Sequence, residues 1–498
     1  MAVSIAGKTE QVITLTAQEI RRACAGELLA GAAQTPVTRV CTDTRASLSE
    51  CLFVAIRGEH FDGNEFAGEA LLKGATGVAA ESGAARRLVA ELALAGEGSA
   101  VTAAPVVIAV PETGRALKQI ASLVAARSHA QVIGITGSTG KTSTKDILSC
   151  LLKPQLNVVA SRASFNNEVG VPLTLLAITN DTQVAVVEMG MQSRGEIAGL
   201  CSIVAPQIAV ITNIGPAHLE YAGSLENIAR GKAEIARRLP PGGGLVLPFG
   251  DHLLQQFLEG LNVRRITFGF DQAADIHPAG PARLENGRLC CTIACLGEEL
   301  DVCFNFDARH QLLNAMAAIG AYRLLGLPLA GVAAAGRDVC LPSMRGETLS
   351  LPGGGILIND CYNANPMSMN AALEHLAAAS NGRRSVAVLG DMAELGPRSR
   401  QLHRQVGAAA AALGIDCLVA IGELAAGFIE GARGAGALGK LHYFTDREAA
   451  ISGVRELIRP GDAVLVKGSR CMRLEQLSGL LTAGGKEGGK TSSRRESR

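Results

Sequence analysis

The 498-residue sequence predicts an α/β chain of three domains, two of them doubly wound, mostly parallel sheets. Three observations carry that prediction. The chain is too long for one core, and its length alone suggests about three domains. Apolar residues make up 48% of it, ample material for packed interiors. Strand-like runs that are apolar on both faces alternate with helical segments, as in parallel sheets covered on both sides. Aromatic residues are scarce, while alanine and glycine are abundant, which suits closely packed helices.

The first domain, expected over residues 1–108, opens with a helix-like stretch near Ala17–Ala30. Short strands follow at Leu52–Ile56, Gly77–Ala80 and Pro105–Val110. The second, expected over 109–341, starts with a helix and continues with strands Gln131–Thr136, Val184–Gly190 and Gln207–Gly215. Residues 265–306 read as short antiparallel strands, an appendage to the sheet. The run RHQLLNAMAAIGAYRLLG after them has the pattern of an amphipathic helix. The third domain, expected over 342–482, has four further buried strands, GILIND, SVAVLGDM, CLVAIG and AVLVKGS. Residues 483–498 are polar and glycine-rich and are expected to be disordered.

Forty-seven basic residues balance forty-six acidic ones, which argues against a nucleic-acid partner. No apolar run reaches the ~18 residues a membrane helix needs. Lys8 and Glu10 fall where a signal peptide would be apolar, so a cytoplasmic location without a membrane partner is expected. Among thirteen cysteines, Cys290, Cys291, Cys295 and Cys303 form the one cluster, and it lacks the paired spacing of a zinc site. They read as small buried hydrophobes in a reducing compartment.

The chemistry concentrates in GITGSTGKTSTKDIL, Gly134–Leu148. A glycine turn between strand and helix aims free backbone N–H groups at one point, and the helix dipole adds positive potential there. Gly137, Ser138, Thr139, Gly140, Lys141, Thr142 and Ser143 are therefore candidates to hold a nucleotide's phosphates, as a P-loop does. Lys141 is placed for the β/γ-phosphates and Thr142 for Mg²⁺. The spacing is G-x-x-G-x-x-G-K-T, with Ile135 where the usual loop has its first glycine. The next strand ends in Glu188 and the one after leads to Asn213 and His218. Carboxylate and imidazole thus fall at the same sheet edge, where ligands bind in such folds.

Taken in this order, the TG-[ST]-x-GKT loop, the glutamate strand and the N-x-G-x-x-H loop resemble the central domain of the ATP-dependent Mur ligases of peptidoglycan synthesis. The resemblance runs from about residue 38 to residue 475. It implies a central P-loop domain holding ATP and a Rossmann-like C-terminal domain holding the incoming amino acid or dipeptide. The small N-terminal α/β domain would bind the UDP-sugar-peptide through Asp43, Thr44 and Arg45. In the family a lysine downstream of the histidine is carbamylated, and Lys232 is the matching position. A bare ammonium repels Mg²⁺, whereas its CO₂ adduct is a carboxylate. The implied metal set is Thr142, Glu188, His218 and Lys232, and the implied catalytic set is Lys141, Glu188, His218, Lys232 and Arg345.

Asn166 and Asn167 match an asparagine pair that faces substrate or γ-phosphate. Arg345, Asp360 and Asn314 are implied on the nucleotide, and Tyr362, Asn363, Asn365 and Pro366 on the acceptor side. Lys467 and Ser469 end another strand. INDCYNANPMSMNAAL, LGDMAELG and VKGSRCMRLE are similar to the branch of the family that adds D-alanyl-D-alanine. That implies a monomeric enzyme that couples D-Ala-D-Ala to UDP-N-acetylmuramoyl-tripeptide through an acyl phosphate, in the pathway behind cell shape and division. The rivals are the branch adding diaminopimelate or lysine, whose D-N-P-R motif is missing, and a P-loop NTPase switch. Three stretches depart from the family pattern: His310-Gln311, the loop Leu247–His252, and Thr139.

Overall fold

The computed structural model describes residues 12–58, 61–95, 104–437 and 439–483. All of the expected disordered tail but Ala483, and Lys8 and Glu10, lie outside the described residues. Three large sheets follow one another along the chain. The first has five strands in the order Glu27–Ala30, Val106–Val110, Gly77–Glu81, Cys51–Val54 and Arg39–Cys41, parallel except for its first pair. The helix expected near Ala17–Ala30 spans only Ala17–Ala23, capped by a reciprocal Thr16–Glu19 box. Ala25 turns into left-handed backbone, and Gly26 lies so close to Ala109 that a Cβ would sit 2.7 Å from its carbonyl oxygen. Glu27–Ala30 then pairs along the sheet edge. Tertiary pairing overrides the helical pattern there.

The central sheet has ten strands. Its parallel part runs Arg264–Phe268, Gly244–Pro248, Ile208–Ile211, Gln131–Thr136, Val184–Glu188 and Val158–Ala160. The antiparallel strands after residue 276 continue that sheet through Ile276–Pro278. The helix Gln311–Leu324 is enclosed on nearly every side rather than amphipathic. It lies between the sheet and the helix Lys141–Leu152, and at Gly320 a Cβ would meet Val246 at 2.7 Å. In the hairpin Arg288–Cys295 and Glu298–Phe304, Cys290 and Cys303 stand opposite each other and form a disulfide. This corrects the reading of the cluster as reduced, buried thiols. Cys291 and Cys295, on the alternate face, are free and buried.

The third sheet has six strands in the order Glu347–Ser350, Ile356–Asn359, Ala463–Lys467, Ser385–Gly390, Cys417–Ile421 and Lys440–Phe444, parallel after the first. Among the described residues no helix is long and apolar enough to cross a membrane.

Two helical segments join the layers. Thr113–Arg127 buries Ala116, Leu117, Ile120 and Val124 in a core shared by the first two sheets. Leu219–Ala222 and Leu225–Ala233 leave the central sheet and press Leu219, Ala222 and Ile228 into the core beneath the third, against Leu389, Met392 and Leu395. This packing sets the strand ends of the central sheet opposite those of the third. Ile228 is fully enclosed, so Ile228→Ala should cost about 2–5 kcal/mol and lower the urea midpoint of the transition that separates the two layers.

Candidate active site

The strand Gln131–Thr136 runs into the glycine turn, and Gly140 caps the helix Lys141–Leu152. Gly137 and Gly140 have φ of 145° and 79°, and neither has room for a side chain. A Cβ on Gly137 would lie 1.8 Å from Thr212 Oγ1, and one on Gly140 would lie 2.1 Å from Asn314 Oδ1. Asn314 is therefore a support beneath the turn, its amide donating to Gln311 at 2.7 Å. The loop is also pinned from the neighbouring strand end. Ser138 Oγ donates to the Gly215 carbonyl, the Thr139 amide donates to Asn213 Oδ1 at 2.9 Å, and Asn213 Nδ2 donates to Thr139 Oγ1 at 2.7 Å. With its side chains held elsewhere, the turn presents its remaining amides and the helix N-terminus to the cavity.

Lys141 folds back and donates to the Gly137 carbonyl at 2.7 Å. Burial lowers its pKa below the ordinary lysine value, Glu188 opposes the shift and Arg345 adds to it. Thr142 Oγ1 and Asn166 Nδ2 each donate to Glu188 at 2.8 Å, one to each carboxylate oxygen. Asn167 Oδ1 accepts from the Gly170 amide at 2.9 Å, and the residue stands beside Asn166 in the cavity lining. The loop carrying both asparagines is held by Lys145, a residue that sequence reading passed over. Its buried ammonium donates to the Ser161 and Ala163 carbonyls at 2.7 and 2.9 Å and pairs with Asp146 at 2.8 Å.

Lys232 is 2% exposed, and among the described residues its ammonium has no hydrogen bond or ion pair. Burial depresses its pKa well below that of an ordinary lysine, and Lys141 pushes it further the same way. His218 begins the helix Leu219–Ala222 in left-handed backbone, φ 56°, strain of the kind stored at functional positions. Its Nδ1 is hydrogen-bonded to the Glu394 carboxylate at 2.5 Å. Burial is the main influence holding its pKa low, followed by Lys141, while Glu394 opposes.

The third sheet supplies the facing wall. The Arg345 guanidinium lies over the Tyr362 ring, 4.0 Å from its centroid, and the Tyr362 hydroxyl bonds Ser164 of the central layer. Lys467 donates to Asp360 Oδ2 at 2.6 Å and to the Asn363 carbonyl at 3.0 Å. Asn363 Oδ1 accepts from the Ala364 amide, and Asn365 with Pro366 starts the helix Pro366–Ser380 as its N-cap and first residue. Ser469 Oγ accepts from the Ala393 amide at 2.8 Å.

Between the two walls lies a cavity of about 1180 Å³, lined among others by Lys141, Thr142, Glu188, His218, Arg345 and Asp360. Lys232 is not among the lining residues. Asp43, Thr44 and Arg45 do not reach the cavity: Arg45 pairs with Asp43 on an exposed loop of the first sheet. Lys145 and Glu394 are the polar residues sequence reasoning missed. Both lie in stretches singled out above, GITGSTGKTSTKDIL and LGDMAELG, but neither stretch signals the distant partners, carbonyls 16 and 18 residues from Lys145 and an imidazole 176 residues from Glu394.

Two further histidines are held neutral. Burial pushes His310, on the cavity rim, down to about 4. His403 is fully enclosed, and its Nε2 accepts from the Met392 amide at 3.0 Å, which a protonated ring could not do. Burial lowers its pKa as well. A histidine depressed in the folded state takes up its proton first in the unfolded chain. Stability is therefore full above about pH 6.5 and falls as the pH drops from there toward about 4. Urea midpoints measured across that window should fall less steeply in His403→Gln, whose amide oxygen still accepts, than in the unsubstituted protein.

Residues 135–322 match the family model of the Mur ligase middle domain, and residues 344–470 that of the Mur ligase glutamate ligase domain. Relatives named UDP-N-acetylmuramoyl-tripeptide--D-alanyl-D-alanine ligase include one from Bacillus subtilis (strain 168), 34% identical over 89% of this chain and 93% of its own. Another, from Escherichia coli (strain K12), is 31% identical over 95% and 100%. Among solved structures, MurF from Acinetobacter baumannii superposes with a TM-score of 0.83 at 29% identity, covering 95% of this chain and 99% of its own. MurF ligase from Thermotoga maritima, solved in complex with ADP, gives 0.73 at 26% identity, covering 89% and 97%.

Proposed function

The chain belongs to the Mur ligase family, and we propose that the cavity between its second and third sheets joins D-alanyl-D-alanine to UDP-N-acetylmuramoyl-tripeptide at the expense of ATP. The products are UDP-N-acetylmuramoyl-pentapeptide, ADP and phosphate. It is an ATP-dependent ligase that forms a carbon–nitrogen bond. The observation that carries the reading is a phosphate-loop lysine facing Arg345 and Asp360 across one cavity. The relatives that share nearly the full chain bear the name of this reaction.

A carboxylate does not condense with an amine in water, because its oxygen is a poor leaving group. In the proposed sequence an oxygen of the tripeptide's terminal carboxylate attacks the γ-phosphorus, and ADP departs. The amine of D-Ala-D-Ala then adds to the carbonyl of the acyl phosphate, loses a proton, and phosphate leaves. Lys141 would swing from the Gly137 carbonyl to the transferring phosphoryl group, and the turn amides would hold its oxygens. Arg345, now stacked on Tyr362, lies on the wall from which a cation can meet the same charge. Asp360 would take the ribose hydroxyls and Asn166 would face the acceptor side. Enclosure between the two walls keeps water from the acyl phosphate.

The donor set fits a hard divalent cation in part: Thr142 offers a hydroxyl, Glu188 a carboxylate and His218 a ring nitrogen. Bound there, Mg²⁺ would offset the negative charge of the phosphates. An ammonium on Lys232 does not fit beside it. The buried, depressed amine is the form that adds CO₂, and the resulting carbamate would supply the missing oxygen ligand. Asp43, Thr44 and Arg45 are assigned to the UDP-sugar end, and a monomer in the cytoplasm is the simplest setting for three small substrates.

Phosphate release should require ATP, Mg²⁺, the UDP-linked tripeptide and D-Ala-D-Ala together, and the product mass should be that of the pentapeptide. Lys141→Ala should lower turnover by about 10²–10³-fold or more with the fold intact by circular dichroism. Turnover with a single amino acid on the dipeptide precursor would instead assign the neighbouring branch of the family. In ¹³C-bicarbonate the protein should show a carbamate carbonyl resonance that is absent from Lys232→Gln.

A further inference from the structure

We propose that Glu394, which belongs to the third-sheet layer, is a positioning residue for His218 of the central layer, fixing its imidazole with Nδ1 protonated and Nε2 free toward the cavity. This rests on the reading of His218 as part of the ligase centre. The contact is a hydrogen bond of 2.5 Å between ring Nδ1 and the Glu394 carboxylate. An ionised carboxylate only accepts, so Nδ1 carries the proton, and in the neutral ring the other nitrogen keeps its lone pair. His218 lines the cavity together with Lys141 and Glu188, so that lone pair is the group the site has to use. A histidine that ligates metal or accepts a proton works only in one tautomer, and the partner on its far nitrogen selects it.

The surroundings are built to deliver this carboxylate. Glu394 sits in left-handed backbone, φ 61°, a conformation a glutamate rarely adopts. Four tethers hold the strained loop. The Met392 amide donates to His403 Nε2, the Ala393 amide to Ser469 Oγ, and the Ser469 amide to the Asp391 carbonyl. The Glu220 amide donates to the carbonyl of Glu394 itself at 3.1 Å, crossing the joint two residues from His218. Leu395 and Leu219, the next residues along each chain segment, share one apolar core. Both backbones at the contact are therefore strained and clamped, and the clamp spans the joint. The imidazole is thus oriented from outside the layer that carries it.

The test compares the unsubstituted protein with Glu394→Gln and Glu394→Ala, each labelled with ¹⁵N in the imidazole rings. The His218 signals are assigned by their loss in His218→Gln. One-bond and long-range ¹H–¹⁵N correlations report which ring nitrogen holds the proton and need no substrate. The contact is therefore judged separately from the ligase reaction. We expect Nδ1–H in the unsubstituted protein and a mixture of tautomers in Glu394→Ala. Steady-state rates should show kcat down by about 10–100-fold in both variants, with KM for ATP nearly unchanged. In a His218→Gln background, Glu394→Gln should add little further loss, since the two residues act as one unit. An unchanged His218 tautomer in Glu394→Ala would overturn the proposal. So would a loss from Glu394→Gln that is just as large when His218 is already gone.

Discussion

Burying an ammonium is among the costliest things a fold can do, and of the four lysines around which the site is organised Lys145, Lys232 and Lys467 are buried and Lys141 is half-buried. Lys145 and Lys467 are fully compensated. Each meets a carboxylate and two backbone carbonyls, and each helps to tie down a loop. Lys141 has one carbonyl, from its own loop. Lys232 has no partner among the described residues. The gradient separates framework from chemistry: a satisfied lysine stays where it is, whereas an unsatisfied one holds free energy that an anion or a carbon dioxide adduct would recover. The rest of the cavity follows from where these charges are placed. Glu188 is held by Thr142 and Asn166 opposite Lys141, and Asp360 is held by Lys467.

Much of this was legible in the chain. The apolar strand runs and the glycines located the strand–turn–helix junction at Gly137–Lys141, because a strand, two glycines and a lysine leave few other conformations. Glu188 and His218 were legible as strand-end groups of one sheet. Asn365 and Pro366 prove to be a helix start, as their residue types favour. What escaped were contacts between distant segments. Nothing near Lys145 says that its ammonium supports the loop of Asn166, and nothing near Glu394 says that it reaches across to His218. Edge strands were also hidden: Glu27–Ala30 looks helical because Leu and Ala suit either state, and only the waiting edge of Val106–Val110 decides. The same limit applies to Cys290 and Cys303, whose pairing depends on a hairpin register that spacing alone leaves open.

The joint between the second and third layers has two chemically distinct parts. An apolar part, built by Leu219, Ala222 and Ile228, supplies adhesion without direction. A polar part supplies direction: Glu394 to His218, Tyr362 to Ser164, and Glu220 to the Glu394 carbonyl. Adhesion alone would let the walls slide, and hydrogen bonds alone would not exclude water. Together they fix one arrangement in which groups from both layers line a single cavity.

The apolar part also bears on how the chain is made. Leu219, Ala222 and Ile228 leave the ribosome well before residues 358–465, which cover them. At roughly 5–20 residues per second, the central layer waits on the order of ten seconds with this stripe uncovered. For that interval the nascent chain carries a sticky surface next to His218. Its fate in the cell then depends on how fast the last third is translated and on which chaperones meet it first.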